Sequence, residues 1–353
     1  MFIETKQLCK RFDDYEAAKD ISFGVEQGKM AALLGPSGSG KTTILRMIAG
    51  LEQQDSGDIF INGKNVNDVP AGERGIGFVF QNYALFRYMN VYDNIAFGLK
   101  VQKKSKAEIR ARVTELIQLI GLEGLEKRYP NQLSGGQRQR VAFARAIAPG
   151  PSLLLLDEPF AAIDAKVRKE LRVWLRDMIV QVGITSIFVT HDQEEALEVA
   201  DDIIILNEGR IEQMGTPTDI YLHPQTPFVA QFAGNSSVVE GLSGFRGFDA
   251  LPTGHKILIR PEFVDAFKTD NLQMQPYADL AEDGIVTGIS FRGSSLEVRL
   301  KVHGITLLTN RSLERREIRL GEHMNVFLHR VYCIEGERTQ VVENELLKNI
   351  SME

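Results

Sequence analysis

Gly35-Pro36-Ser37-Gly38-Ser39-Gly40-Lys41-Thr42 is the stretch on which the reading of this chain turns. It fits Gly-x-x-x-x-Gly-Lys-Ser/Thr, a loop whose backbone N–H groups cradle phosphates. Its flanks are the ones such a loop requires. Lys29–Leu34 reads as a short buried strand, and Thr43–Ala49 as a helix ending at Gly50. The glycines permit a close, partly left-handed turn that side chains would block. The helix start then points free amides and its positive dipole end at an anion. Lys41 is expected to reach the β/γ-phosphates, and the Thr42 hydroxyl to ligate Mg²⁺. A Gly/Ser-rich turn with no chemistry is the competing reading, and the strand before and the helix after it favour the phosphate site.

The 353 residues, 25% charged and 43% hydrophobic, have ordinary globular composition. Length favours two or three domains, each able to bury its own core. A net charge of −6 gives no electrostatic case for nucleic acid as main partner. Cys9 and Cys333 lie far apart, and neither belongs to a Cys-x-x-Cys pair. Two free thiols in a reducing compartment are therefore expected. Residues 1–20 lack a signal-peptide pattern, and no window approaches 18 consecutive apolar residues. The expectation is a cytoplasmic chain, with any membrane part supplied by others.

Phe2–Lys6 and Ile21–Val25 alternate like two antiparallel strands, with Phe12 and Tyr15 in a polar loop between them. An aromatic near a phosphate loop either stacks on a purine or caps a strand edge. Gly57–Lys64 reads as a hairpin edge, and Ile76–Phe80 as a strand ending at Gln81. A polar amide at that edge of an α/β sheet is a candidate ligand. Tyr83–Tyr92 is unusually aromatic for a loop. It is either core or a docking surface, and docking is the preferred reading. Residues 103–120 predict an amphipathic helix with Ile109, Val113, Leu116, Ile117 and Ile120 on one stripe.

Ser134 is an apt N-cap for a helix running to Ile147. Gly135 and Gly136 are costly in a first turn unless bare amides must approach something anionic. Leu153–Leu156 is a buried strand delivering Asp157 and Glu158 at its end. Asp157 is placed to hold Mg²⁺ through water, and Glu158 to polarise a water aimed at the γ-phosphate. Ser186–Thr190 repeats the pattern and ends at His191, a candidate γ-phosphate donor. Three strands thus deliver Gln81, the acidic pair and His191 to one edge of a mostly parallel sheet. A helix at Gln193–Val199, the strand Ile203–Leu206 and a hairpin at Asn207–Arg210 follow.

Phe228–Phe232 looks like a short closing helix, followed by the linker Gly234–Ser237. Beyond it, Lys256–Arg260, Gly284–Gly288, Leu296–Leu300, Ile305–Leu308 and Asn325–Leu328 read as strands of a small β-barrel. His303, His323 and His329 lack metal-ligand spacing. The cluster Arg311, Arg315, Arg316 and Arg319 is the only support for a nucleic-acid role. Glu314 and Glu317 interleave it, so a solvated face is the expectation.

With the phosphate loop, Gln81, Leu133–Gln137, Leu156-Asp157-Glu158 and His191 in that order, the first 235 or so residues resemble an ATP-binding-cassette (ABC) ATPase. The resemblance implies an α/β P-loop NTPase fold at 1–234, with a helical subdomain at about 88–150. A small all-β, OB-like barrel at 235–353 would follow. Val79–Phe86 and Thr190–Ala196 look like importer ATPases that carry such a barrel, and Ile259-Arg260-Pro261-Glu262 matches the barrel's entry motif. Arg168–Arg176 and Asp192–Asp201 are most similar to importers of the sulfate/thiosulfate type. Importers for ferric iron, molybdate, polyamines and sugars share most of these features.

The resemblance further implies ATP and Mg²⁺, with Glu158 as base assisted by His191 and Gln81. Phe12 would stack on adenine, and Gly35, Pro36, Ser37, Gly38, Ser39, Gly40, Lys41, Thr42 and Thr43 would hold the phosphates. Thr42, Gln81 and Asp157 would surround the metal. Ser134, Gly135, Gly136 and Gln137 would close over ATP held by a second, head-to-tail copy, with Asp164 at the same interface. Ala161 replaces a usual serine there. The implied partners are a second copy, two transmembrane permease subunits and, indirectly, a solute-binding protein, with no nucleic acid. The implied place is the cytoplasmic face of a membrane.

Overall fold

Met30–Leu34 is buried at all five positions, as are Leu153–Asp157 at five and Thr185–Thr190 at six. Unbroken burial of this kind belongs to strands covered on both faces, the condition of a parallel sheet. The computed structural model describes residues 1–161, 164–249, 251, 254–268 and 274–347. These fall into two compact units, Met1–Thr218 and Asp219–Glu353.

In chain order the first unit holds β1 (Ile3–Phe12), β2 (Tyr15–Val25), β3 (Met30–Leu34), α1 (Lys41–Ala49), β4 (Ser56–Ile61), β5 (Lys64–Asn65) and β6 (Ile76–Val79). Then come α2 (Val91–Val101), α3 (Lys106–Leu119), α4 (Gly135–Ile147), β7 (Leu153–Asp157), α5 (Ala165–Val182), β8 (Thr185–Thr190), α6 (Gln193–Val199), β9 (Asp202–Asn207) and β10 (Arg210–Gly215). One sheet is antiparallel, ordered β2-β1-β4-β5; the other is ordered β10-β9-β3-β8-β7-β6 and is parallel except at β10. Ile3, Leu8 and Ile21 from the first share one core with Ile44 and Ile48 of α1 and Leu155 and Val189 of the second.

Phe12 and Tyr15 are not in a polar loop. Both are strand residues, facing each other across the β1–β2 hairpin. The strands run longer than their alternation predicts because the ladder slips at Thr5/Leu8 and again before Arg11, with Gln7 at φ 50°. Each bulge moves later side chains to the other face and erases the period-2 signal.

Local chemistry fixes the helices. Ser105 and Glu108 form a capping box on α3, and Asn90 and Asp192 cap α2 and α6. The predicted stripe of α3 is buried at all five positions. The far end of α1 is satisfied by a distant residue: Arg74, 8% exposed, donates to Met47 O and Ile48 O at 2.9 Å each, and to Val69 O at 2.8 Å. Its replacement takes the guanidinium donor from Ile48 O and Val69 O, while Met47 O keeps the Gly50 amide at 3.0 Å. Arg74→Met is expected to lower stability by about 2–4 kcal/mol, read from denaturant unfolding followed at Trp174. A loss under about 0.5 kcal/mol, the scale of an inert surface change, would mean water serves those carbonyls.

The second unit begins within α7 (Pro217–Leu222) and continues with α8 (Pro227–Phe232), β11 (Ser237–Glu240), β12 (Lys256–Ile259) and β13 (Val264–Phe267). After α9 (Gln275–Ala278) it runs through β14 (Glu282–Phe291), β15 (Ser295–Val302), β16 (Ile305–Ser312), β17 (His323–Leu328), β18 (Arg330–Glu335) and β19 (Arg338–Glu343). Two sheets form, β11-β12-β18-β19 and β13-β17-β14-β15-β16, over one core. Strands β11, β13, β18 and β19 go beyond the sequence expectation, and the linker's Ser237 already starts β11.

The five-stranded sheet curls into a nearly closed barrel. Thr309 on β16 donates its hydroxyl to Val264 O on β13, and Arg311 donates to Ala266 O at 3.1 Å, joining the two edge strands. Arg311 is thus 4% exposed and structural, not part of a solvated basic face. The entry motif is explained as well. Arg260 is fully buried between the rings of Tyr221 and Tyr332, at 4.0 and 5.0 Å, and donates to Tyr221 O and Ala230 O.

Candidate nucleotide-binding site

Parallel pairing sends β3, β8, β7 and β6 out of the sheet on one edge, in that spatial order. The segments that leave there are the glycine-rich loop, His191, Asp157-Glu158 and Gln81, the arrangement predicted from the strand ends. This is the edge where open α/β sheets bind ligands.

The loop at Gly35–Thr42 is built for close approach. Gly40 sits at φ 92°, and a Cβ on it would lie 1.9 Å from Ala17 O. Gly38, at φ 81°, has open space where its Cβ would be, the kind of bare cradle an anion can enter. Lys41 is 5% exposed and donates to Gly35 O at 2.9 Å, Pro36 O at 2.7 Å and Ser39 Oγ at 3.3 Å. Burial pulls its ammonium pKa below the usual lysine range, while Glu158 and Asp157 oppose that. The lysine is therefore stored inside the loop with labile carbonyl partners that phosphate oxygens can replace.

Thr42 Oγ1 donates to Asp157 Oδ1 at 3.0 Å. Burial raises the Asp157 carboxyl above its ordinary range, and the Thr42 bond draws it back. A hydroxyl and a carboxylate converging from two elements are hard oxygen donors, so the set suits Mg²⁺.

Glu158 takes a backbone φ of 44°, unusual for a side-chain-bearing residue and costing about 1–2 kcal/mol. The turn aims it away from Asp157. Gln81 Nε2 donates to Glu158 Oε2 at 2.8 Å, and His191 Nδ1 lies 3.5 Å from Glu158 Oε1. The carboxylate is so held between an amide and an imidazole, with 22% of its side chain exposed. The His191 turn is fixed from below: Thr190 donates to buried Glu195, and the Asp192 amide to Thr190 Oγ1 at 3.0 Å.

A cavity of about 670 Å³ lies over the loop, lined by Pro36–Ser39, Arg11, Tyr15, Lys19, Asn207 and Glu208 among others. Tyr15 also donates its hydroxyl to Gly38 O. Of the two hairpin aromatics it is Tyr15 that lines this cavity, while Phe12 is 41% exposed with the Lys10 ammonium 5.1 Å from its ring. Arg11 and the β9–β10 turn at Asn207-Glu208 had no motif to reveal them. They reach the loop only through bulged strands and tertiary pairing.

Ser134 caps α4 by accepting from the Gln137 amide at 3.2 Å, and Gln137 Oε1 accepts from the Ser134 amide at 3.0 Å. Gly136 has a packing reason besides exposure of amides, since a Cβ there would meet Val167 and Leu171 at 3.3 Å. None of residues 134–137 lines the cavity over the phosphate loop. Asp164 caps α5 through the Val167 amide at 3.1 Å; Ala162 and Ile163 lie outside the described residues.

The aromatic loop is divided. Tyr83 and Val91 are buried, Phe86 packs on Phe97 with ring centroids 4.5 Å apart, and Tyr88 is 97% exposed. Asn94, fully buried, donates to Phe86 O, Met89 O and Asn90 O, while Arg145 donates to Tyr83 O and Ala84 O. Those clamps present Tyr88 to solvent on a fixed scaffold.

Phosphate loop, acidic strand end and parallel sheet together define a P-loop nucleoside triphosphatase. Residues 18–161 match the family described as ABC transporter. The chain is 53% identical over 264 residues to the sulfate/thiosulfate import ATP-binding protein CysA of Synechococcus elongatus, covering 74% of this chain and 77% of that one. It is 50% identical over 305 residues to the protein of that name from Synechocystis, covering 85% and 84%. With the namesake from Mycobacterium tuberculosis it shares 58% over 270 residues, covering 76% and 73%. Among solved structures, the first unit resembles cbiO1 of Clostridium perfringens, described as part of the ABC transporter complex cbiONQ. The TM-score is 0.59 at 31% identity, covering 63% of this chain and 91% of that one. The ATP-binding cassette MJ0796, solved as a dimer bound to ADP and phosphate, gives a TM-score of 0.55 at 32% identity, covering 61% and 98%. The chain belongs to the ABC transporter family, as an ATP-hydrolysing ATP-binding subunit. Both cysteines are free, and no described helix is long and apolar enough to cross a membrane.

Proposed function

We propose that this subunit powers import of sulfate and thiosulfate, working as a head-to-tail pair beneath two permease subunits at the cytoplasmic face of the membrane. The observation that supports its chemistry best is the Gln81–Glu158–His191 group at the sheet edge that also carries the phosphate loop. The solute is supported by relatives at 50–58% identity that are named for it.

ATP phosphates accept from the loop amides, and Lys41 exchanges Gly35 O and Pro36 O for phosphate oxygens. Glu158 takes the proton of the attacking water, its oxygens positioned by Gln81 and His191. Bound beside Thr42, Asp157 and Gln81, Mg²⁺ would neutralise the crowded β- and γ-oxygens. Ser134, whose oxygen already accepts from Gln137, keeps its hydroxyl proton to donate; with Gly135, Gly136, Gln137 and Asp164 it serves the nucleotide of the second copy. A pair of identical half-sites is isologous, so two nucleotides lie in one two-fold interface. Phe12 and Tyr15 flank the adenine side, and Tyr88 contacts the permease.

The test is uptake. A strain lacking its own sulfate-importer ATPase, given this chain with its permease, should recover uptake of labelled sulfate, competed by thiosulfate. Active ATPase with no sulfate uptake would reject the solute and keep the cassette. Tyr88→Ala is expected to cut uptake about tenfold, as loss of an aromatic anchor does. ATPase activity of the isolated subunit should be unchanged. A matching fall in that activity would place Tyr88 in the catalytic body.

A further inference from the structure

The four-stranded sheet of the second unit carries a side-chain cluster that the nucleotide chemistry does not use. Alternation along β18 puts Cys333 and Glu335 on one face. The β12–β18 ladder pairs Lys256 with Ile334 and Ile257 with Cys333. Its continuation sets His255 opposite Glu335. One ligand atom each from His255, Cys333 and Glu335 lie within 4.8 Å of one another.

Two further observations bear on the cluster. His255 Nδ1 is buried with no hydrogen-bond partner among the described residues, a costly state for a polar atom. Beside it, a cavity of about 450 Å³ is lined by Cys333 and Glu335 together with Gln340, Glu343 and Glu345. Cys333, though 1% exposed, is part of that lining, and the carboxylates draw cations in. A thiol, an imidazole and a carboxylate suit a borderline-soft ion rather than Mg²⁺ or Ca²⁺.

We propose that His255, Cys333 and Glu335 form a zinc-binding site, with three protein ligands and a fourth position open to the cavity. On binding, Cys333 gives its proton to solvent and the thiolate ligates. Because the thiol must lose its proton to ligate, affinity rises with pH. Zn²⁺ here ties β12 to β18 and gives the second unit a response to metal that is independent of ATP.

The experiment is Co²⁺ titration of the tag-free full chain with Mg²⁺ in excess. One equivalent should bind with a thiolate-to-cobalt charge-transfer band, and Zn²⁺ should displace it. Cys9→Ser should keep the band and Cys333→Ser should lose it. His255→Gln should weaken binding about tenfold or more. No band in the unaltered protein, or a band that survives Cys333→Ser, overturns the proposal. If Cys333→Ser does not fold, His255→Gln decides, and unchanged Co²⁺ affinity there overturns it.

Discussion

Glu158→Gln should lower ATP turnover about 10²–10⁴-fold while ATP affinity stays within a factor of about three. The replacement keeps the shape of the side chain, and its amide oxygen can still accept from Gln81. What disappears is the ability to take a proton. The left-handed backbone that aims the side chain is set by the preceding strand and by the Glu158 amide donating to Val189 O at 3.2 Å, so it survives the change. Asp157 cannot substitute, because it is 5% exposed and engaged with Thr42. With hydrolysis blocked and binding intact, the paired, ATP-bound state should accumulate. Phosphate release at saturating ATP, nucleotide affinity and the size of the ATP-bound particle are the three readings. Turnover within tenfold of the unaltered protein would remove Glu158 as the base, and a monomer with ATP bound would reject the shared site.

Arg260→Met should destabilise the second unit by about 2–4 kcal/mol. Methionine matches the length and apolar volume, so the loss is chemical rather than a cavity. Two buried carbonyls, Tyr221 O and Ala230 O, lose charged donors, and two ring faces lose their cation. Tyr332 O–H, which also donates to Tyr221 O at 3.1 Å, cannot serve both oxygens. The phenol of Tyr221 is part of the same knot: half-buried and donating to Glu262 at 2.6 Å, its pKa is pushed up to about 12. Arg260→Lys should not rescue, since an ammonium neither forks to two carbonyls nor lies flat between rings. Hydrogen exchange of β12 and β18 peptides reads the effect. Trp174, the only tryptophan and in the first unit, reports whether the damage is confined. A shift below about 0.5 kcal/mol would make the arginine incidental.

The nucleotide site was legible because its signals are local. A central parallel strand is a mostly apolar run, so the polar residues at or just after its end mark the sheet edge; Gln81, Asp157 and His191 are legible in this way. The hairpin that brings Tyr15 to Gly38 was not, because bulges cancel alternation and leave a stretch that reads as loop. In the second unit, β17 passes to β18 through Leu328, His329 and Arg330 with neither glycine nor proline to announce that the chain changes sheets. The buried roles of Arg260, Arg311 and Arg74 were not legible for another reason, although Arg260 stands in the barrel's entry motif. A sequence prices arginine as exposed, and only the fold reveals carbonyls waiting for a guanidinium. The aromatic loop resisted a single reading because it has two roles, with Phe86 and Tyr83 holding the scaffold from which Tyr88 projects.

Closure of the barrel by Thr309 and Arg311 has its own consequence. A tube zipped by a full ladder opens only by unravelling a strand. This one is buttoned at discrete points, so changing two side chains can part the wall lengthwise and leave every rung of the remaining sheet intact.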